Sequence, residues 1–223
     1  MTTTFLTQLK DTMHVISSWL LIPTIVVLML FLAFTVVELG SLLVESITER
    51  HRIKFKLPEM VDSFQEKDTG EISGIVDESS LLRCQKAALG ELIKHSSLPA
   101  GSLQALARRL LTGEELRYAK ITARTDLIAR LGPMFGLMAT LIPLGPGLIA
   151  LGQGDTKTLA DSLLTAFDAT VSGLATAGVA FAISRLRKRW YEDYLSSTEV
   201  LMESLLEVFA HEKGIEKQQI ENV

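Results

Sequence analysis

Along the 223 residues of this chain the alternation of apolar and charged positions stops three times. Residues 15–37, 131–151 and 162–183 are continuous apolar or small-polar stretches, and Asp168 is the one Asp, Glu, Lys or Arg among their 66 positions. The chain carries 22 basic and 26 acidic residues, and an even spread would put roughly 14 of them in such windows. With about 1.5 Å rise per residue, each stretch makes a helix on the order of 30 Å long, the thickness of a bilayer's hydrocarbon core. The pattern predicts three transmembrane helices and excludes a single soluble core.

Elsewhere the pattern predicts amphipathic helices. After the first span, Glu38, Glu45, Glu49, Arg50 and Arg52 interleave with Leu39, Leu42, Leu43 and Ile47, so that helix continues beyond the bilayer. Residues 38–130 are expected to form a helical segment with a solvated linker near 54–80, where Pro58, Gly70 and Gly74 sit among seven acids. Helical spacing returns at Leu81, Leu82, Ala88, Leu89, Leu92 and Ile93. It resumes after a break at Pro99, Ala100 and Gly101 with Leu103, Leu106, Leu110 and Leu111. Thr112 followed three residues later by Glu115 has capping-box spacing and predicts a fresh helix start leading into the second span. Residues 152–161 are a short turn. In 184–223, Trp190, Tyr194, Leu201, Leu205 and Val208 recur as one face of a long amphipathic helix.

The basic residues set an orientation. Of the 22, 14 lie in residues 41–130 and six in 184–223, leaving Lys10 and Lys157. Positive charge accumulates on the cytoplasmic side, so residues 1–14 and the 152–161 turn are expected outside, and the long middle segment and tail inside. Arg185, Arg187, Lys188 and Arg189 directly follow the third span, where a basic cluster stops translocation. The first span is longer than the about 7–15 residues of a signal-peptide core and lacks a small-x-small cleavage site after it, so it reads as a retained anchor.

Composition adds exclusions. A net charge of −4 gives no basic footprint for nucleic acid. The single cysteine, Cys84, reads as a small apolar residue, and the four histidines lie on separate segments outside the spans, so no metal-ligand spacing and no cofactor site is expected. No phosphate-binding glycine loop and no nucleophile constellation is present, and the expectation is that the chain is not an enzyme.

The spans differ in character. Five of 23 residues in the first are Ala, Gly, Ser or Thr, against 13 of 22 in the third. Small residues let helices approach closely, which drives association in lipid, so the first is expected to face lipid and the third to be buried in protein. The second carries Gly132, Gly136, Thr140 and Pro143 near one face with Gly145, Pro146 and Gly147 beyond, and reads as an irregular interior helix. Asp168 is the most informative residue, because a carboxylate at that depth must face protein, water or an ion path. Thr165, Ser172 and Thr176 lie three, four and eight residues from it along one expected polar stripe. That stripe reads either as an ion pathway or as structural glue between helices. Asp126 and Arg130, one helical turn apart, are expected to pair or to touch a partner, and Asp155 and Asp161 read as a solvated outer turn or a cation-collecting mouth.

The run Gly136-Leu-Met-Ala-Thr140-Leu-Ile-Pro-Leu-Gly145 resembles the G-L-x-x-T-x-x-x-x-G stretch of the MotA/TolQ/ExbB proton-channel family, and Ala169-Thr170-Val-Ser-Gly173-Leu174 is similar to its A-T-x-x-G-L segment. The resemblance extends to the span order, the cytoplasmic insertion and the helical tail, and is closest to the three-span TolQ and ExbB type. It implies an all-α polytopic protein whose transmembrane helices extend into long cytoplasmic ones. It further implies a homopentameric ring in the inner membrane around two copies of a single-span TolR/ExbD/MotB-like partner, whose own aspartate carries the ion. By the same resemblance Thr140 and Thr170 would line the pore, and ion flow would drive mechanical work. Many ExbB-like members place an acid where Thr165 stands here, whereas this chain has Asp168. At 100° per residue Asp168 and Thr170 lie about 200° apart, so they cannot both face one pore. The row Ala166, Thr170, Gly173, Ala177 and Ala180 is the expected face for close contact with a partner helix, Gly132 and Gly136 are further expected helix-packing positions, and Asp168 is left for a subunit interface or a hydrated path. The rival readings are a non-conducting scaffold and a dimeric transporter built around the proline-broken second span.

Overall fold

The computed structural model describes residues 2–48, 57–65, 69–79 and 81–221. Six helices appear, and no strand among the described residues: α1 (Thr2–Thr48), α2 (Leu57–Gln65), α3 (Thr69–Glu78), α4 (Arg83–Lys94), α5 (Ala100–Gly152) and α6 (Thr156–Glu221). Three of them, α1, α5 and α6, are long and apolar enough to cross a membrane, and the chain is a multi-pass membrane protein. Contacts divide it into two units: Met1–Leu42 with Thr122–Arg185, and Leu43–Ile121 with Leu186–Val223.

In the first unit α1 buries one stripe, Thr24, Leu28, Thr35 and Leu42, and exposes Trp19, Ile22, Met29 and Val37. The stripe follows helical spacing of four and seven residues, and the remaining circumference is apolar, as a lipid-facing helix requires. α5 passes without interruption through Pro133, Pro143 and Pro146, as α1 does through Pro23. Proline removes one ladder hydrogen bond, a loss that neighbouring helices make tolerable inside a membrane.

The most apolar windows of α1, α5 and α6 are 17%, 22% and 33% buried. The order matches the count of small residues, and within the single chain the third span is covered on one face. Small residues bury one face of α6; Leu164, Phe167, Val171 and Leu174 on its other faces stay exposed.

The second unit has a conventional hydrophobic core. Phe64, Ile72, Leu89, Leu92, Leu103, Leu201, Met202 and Leu205 are fully buried and come from α2, α3, α4, α5 and α6. Where a solvated linker is expected, the chain instead forms α2 and α3, which bury Met60 and Phe64, and Ile72 and Val76. The acids mark only the outward faces of these helices, and the four-residue spacing of the apolar positions is what places them in the core. Residues 54–56, 66–68 and 80 of that stretch lie outside the described residues. α4 is fixed to α6 by Gln85, whose buried amide donates to the Tyr194 carbonyl at 3.2 Å and the Thr198 hydroxyl at 3.0 Å. Pro99 precedes the first residue of α5, as its missing N–H suits. Thr112 and Glu115 lie inside α5 and start nothing: the helix that carries the apolar row Leu103, Leu106, Leu110 and Leu111 runs on unbroken into the second span, so no end exists there to cap.

Candidate functional site

The first unit is organised by a glycine row. α5 and α6 run antiparallel in close contact at Gly132, Gly136 and Gly147. A Cβ placed on Gly132 would stand 3.0 Å from the Ala177 Cβ, and one on Gly147 3.0 Å from the Ser162 Cβ. At Gly173 the backbones meet: a Cβ there would lie 2.9 Å from the Gly136 Cα and 3.0 Å from the Gly132 carbonyl oxygen. Ala166, Gly173, Ala177 and Ala180 are buried, and Gly173 and Ala177 lie against the chain's own α5.

Thr140 and Thr170 sit at the edge of this contact, both half-buried. The Thr170 carbonyl oxygen lies 3.6 Å from a Cβ built on Gly136, and Thr140 is one turn beyond Gly136. Their hydroxyls donate to their own helices, Thr140 to the Leu137 carbonyl at 2.6 Å and Thr170 to the Ala166 carbonyl at 3.0 Å. Each hydroxyl oxygen keeps lone pairs with which it can accept a further hydrogen bond.

Asp168 is exposed on the far side of α6, between exposed Leu164, Phe167 and Val171. Thr165, whose hydroxyl donates to the Asp161 carbonyl at 2.9 Å, and Ser172 are exposed with it. Thr176 is not part of this surface, being only 2% exposed. The four-residue step overshoots the 3.6-residue turn by 40°, so eight residues from Asp168 the stripe has rotated about 80° into the packed interior.

At one end of the unit, Gly154 adopts φ 81°, a conformation suited to glycine, and Asp155 opens α6. Its carboxylate accepts from the Thr158 hydroxyl at 2.5 Å and the Thr158 backbone N–H at 3.1 Å, and these bonds, the hydroxyl first, hold its pKa below the ordinary carboxylate value. At the other end, buried Ser184 on α6 donates to half-buried Asp126 on α5, and Arg185 lies 5.4 Å over the Phe181 ring. Arg130, one turn on from Asp126, is exposed.

The second unit holds polar features of its own. Arg187 donates from Nε to the Glu45 carboxylate at 3.2 Å, with the two side chains only 3% and 15% exposed. Tyr118 stacks on Tyr191 with ring centroids 4.3 Å apart, and its hydroxyl lies 3.2 Å from the Cys84 sulfur. Burial, then the contact with Cys84, pushes the Tyr118 pKa above its ordinary value of 10.0. Among the described residues no group of three His, Cys, Asp or Glu side chains gathers that could hold a metal ion.

Sequence reasoning missed Ser184, Glu45 and Thr35. The signal for Arg187 was misleading, since it stands in a run of four basic residues and only its partner's position takes it inside. Glu45, seven residues after Glu38 on an otherwise apolar helix, was the available clue.

The sequence model of the MotA/TolQ/ExbB proton channel family matches residues 82–200, just over half of the chain, from the start of α4 to Val200 within α6. No curated protein matches the chain.

Proposed function

The chain belongs to the MotA/TolQ/ExbB proton channel family, and from that premise we propose that it is the ring-forming subunit of an ion-driven membrane motor. In this reading five copies surround two copies of a single-span partner, and proton or sodium flow between them is converted into mechanical work. The family is one of channels rather than enzymes, and its members are oligomeric and act with a partner. The ring lies in the inner membrane with the amino terminus outside and the carboxyl terminus in the cytoplasm, as the distribution of lysine and arginine favours.

The observation that carries the proposal is Asp168. In the single chain its carboxylate stands exposed in the middle of an apolar helix surface, and against lipid this costs about 3 kcal/mol or more. A neighbouring subunit or a hydrated path covers it in the working assembly, with Thr165 and Ser172 as hydrogen-bonding companions. Thr140 and Thr170, on the opposite side at the rim of the glycine contact, present hydroxyl oxygens to the pore and to the partner's acid. Gly132, Gly136, Gly173 and Ala177 hold the two pore helices at the separation this requires.

The test is to co-express the chain with the single-span protein encoded beside it and to take a native mass spectrum of the purified complex. Five copies with two of the partner support the ring, and a homodimer without a partner moves the scaffold or transporter to the front. Within a 5:2 complex, Asp168→Asn is expected to impair ion flux while leaving the stoichiometry intact. Lost assembly with normal flux in the surviving complexes would make Asp168 structural.

A further inference from the structure

Two buried threonine hydroxyls of the first unit differ from five others on its helices. Thr24, Thr125, Thr140, Thr165 and Thr170 each donate to a carbonyl three or four residues back on their own helix. Thr35 on α1 and Thr176 on α6, 3% and 2% exposed, do not, and neither hydroxyl has a hydrogen-bond partner among the described residues.

The two lie in one layer of the helix bundle. The rings of Phe31 on α1 and Phe135 on α5 meet edge to face with centroids 5.7 Å apart. Successive spans alternate in direction, so moving four residues along α1 to Thr35 and three back along α5 to Gly132 descends about 6 Å and 4.5 Å. Gly132 in turn faces Ala177, the neighbour of Thr176. Thr35, Gly132 and Thr176 therefore share a depth to within about one residue rise or two.

They also share a side. On α6 the row through Gly173 and Ala177 touches α5. Thr176, about 60° from Gly173 and 100° from Ala177, lies with Ile183 seven residues on along one flank of that row, and both are buried. The helix of this unit that remains to cover that side is α1, whose buried stripe contains Thr35.

A buried hydroxyl without a partner loses its hydrogen bonds to water and gains none in return. Two such groups at one depth on facing helices satisfy each other through a shared guest. A metal cation takes about six oxygen ligands, whereas a buried water is held by two to four polar partners, and each hydroxyl can both donate and accept. We infer that Thr35 and Thr176 together hold one water molecule between α1 and α6. The site is separate from the exposed Asp168 surface. It ties α1, which lies outside the matched residues 82–200, to the helix that carries the family's threonine motif. It does not depend on the ion-driven reading, because wet or dry the ring stoichiometry is the same.

The test uses the full chain in lipid nanodiscs. Valine has the shape of threonine without the hydroxyl. Thr35→Val or Thr176→Val alone leaves one hydroxyl and its water half-bonded, and each is expected to lower the thermal midpoint by about 2–6 °C. The double variant leaves nothing polar to satisfy and is expected to recover most of that loss. Single variants that are neutral or stabilising, with additive effects, would overturn the inference. A second measurement on the unaltered chain decides the matter even if a variant fails to fold. Water-edited NMR of methyl-labelled threonines is expected to transfer magnetisation from water to Thr35 and Thr176 several-fold faster than to Thr24, which is equally buried but bonded to its own helix. Build-up at the rate of Thr24 means a dry site.

Discussion

Replacing Gly173 by alanine isolates the contact on which the membrane unit is built. The added Cβ meets the Gly136 Cα at 2.9 Å, the Gly132 oxygen at 3.0 Å and the Gly136 nitrogen at 3.3 Å, all backbone atoms that no side-chain rotation can remove. Ordinary carbon contacts begin at about 3.5 Å, so the helices must part by roughly half an ångström or more, and a gap of that size forfeits a quarter to a half of each contact energy along the row. Overpacking of this kind costs about 1–3 kcal/mol. Alanine also gains about 1 kcal/mol of helix propensity over glycine, which would obscure the loss. Gly178→Ala supplies the control, since Gly178 lies in the same helix with nothing within 4 Å of its would-be Cβ. The propensity gain is common to both, so the difference between the two variants reports the steric term. At about 2–4 °C per kcal/mol for a chain of this size, Gly173→Ala should melt roughly 2–12 °C below Gly178→Ala. Thermal unfolding of the detergent-solubilised chain followed by circular dichroism measures it. Gly136→Ala, whose nearest neighbour is at 3.5 Å, should behave like the control. Equal midpoints for the Gly173 and Gly178 variants would refute the backbone contact.

Three other outcomes are expected of the second unit. Phe64→Ala should destabilise the chain by about 3–5 kcal/mol, measured by chemical unfolding, because Phe64 is fully buried; a change under about half a kcal/mol would restore the solvated linker. Arg187→Met strands the Glu45 carboxylate and should cost about 3–5 kcal/mol, whereas Arg187→Met with Glu45→Leu should recover much of it; equal costs would mean that the pair is not coupled. The Tyr118 phenol is raised above 10.0 in the folded state, so the fold binds its proton more tightly than the unfolded chain does. The stability it contributes is complete below about pH 10 and is lost as pH rises towards the folded value. Tyr118→Phe should therefore raise the pH of alkaline unfolding, read by phenolate absorbance, and an unchanged transition would count against a buried phenol.

Much of this protein is written in one dimension. A span of about twenty residues without charge has one stable form in a bilayer, because only a helix satisfies every backbone group internally. That is why α1, α5 and α6 are legible from spacing alone. The threonine and glycine positions of the family motif are likewise local patterns, and they led to the same family that the matched residues 82–200 identify. The tertiary structure decided which face of each helix is covered. Composition marked 54–80 as solvated, but burial belongs to single positions, and Phe64 and Ile72 reach the core because other helices meet them there. Thr176 was grouped with Asp168 by a four-residue step, and only packing against neighbouring helices places it inside. Arg187 reads as surface charge until Glu45, 142 residues away, is brought beside it. Helix formation depends on neighbours three or four residues apart, whereas which side of a helix is buried depends on partners a hundred residues distant. The first is fixed by the sequence near each residue, and the second by the fold as a whole.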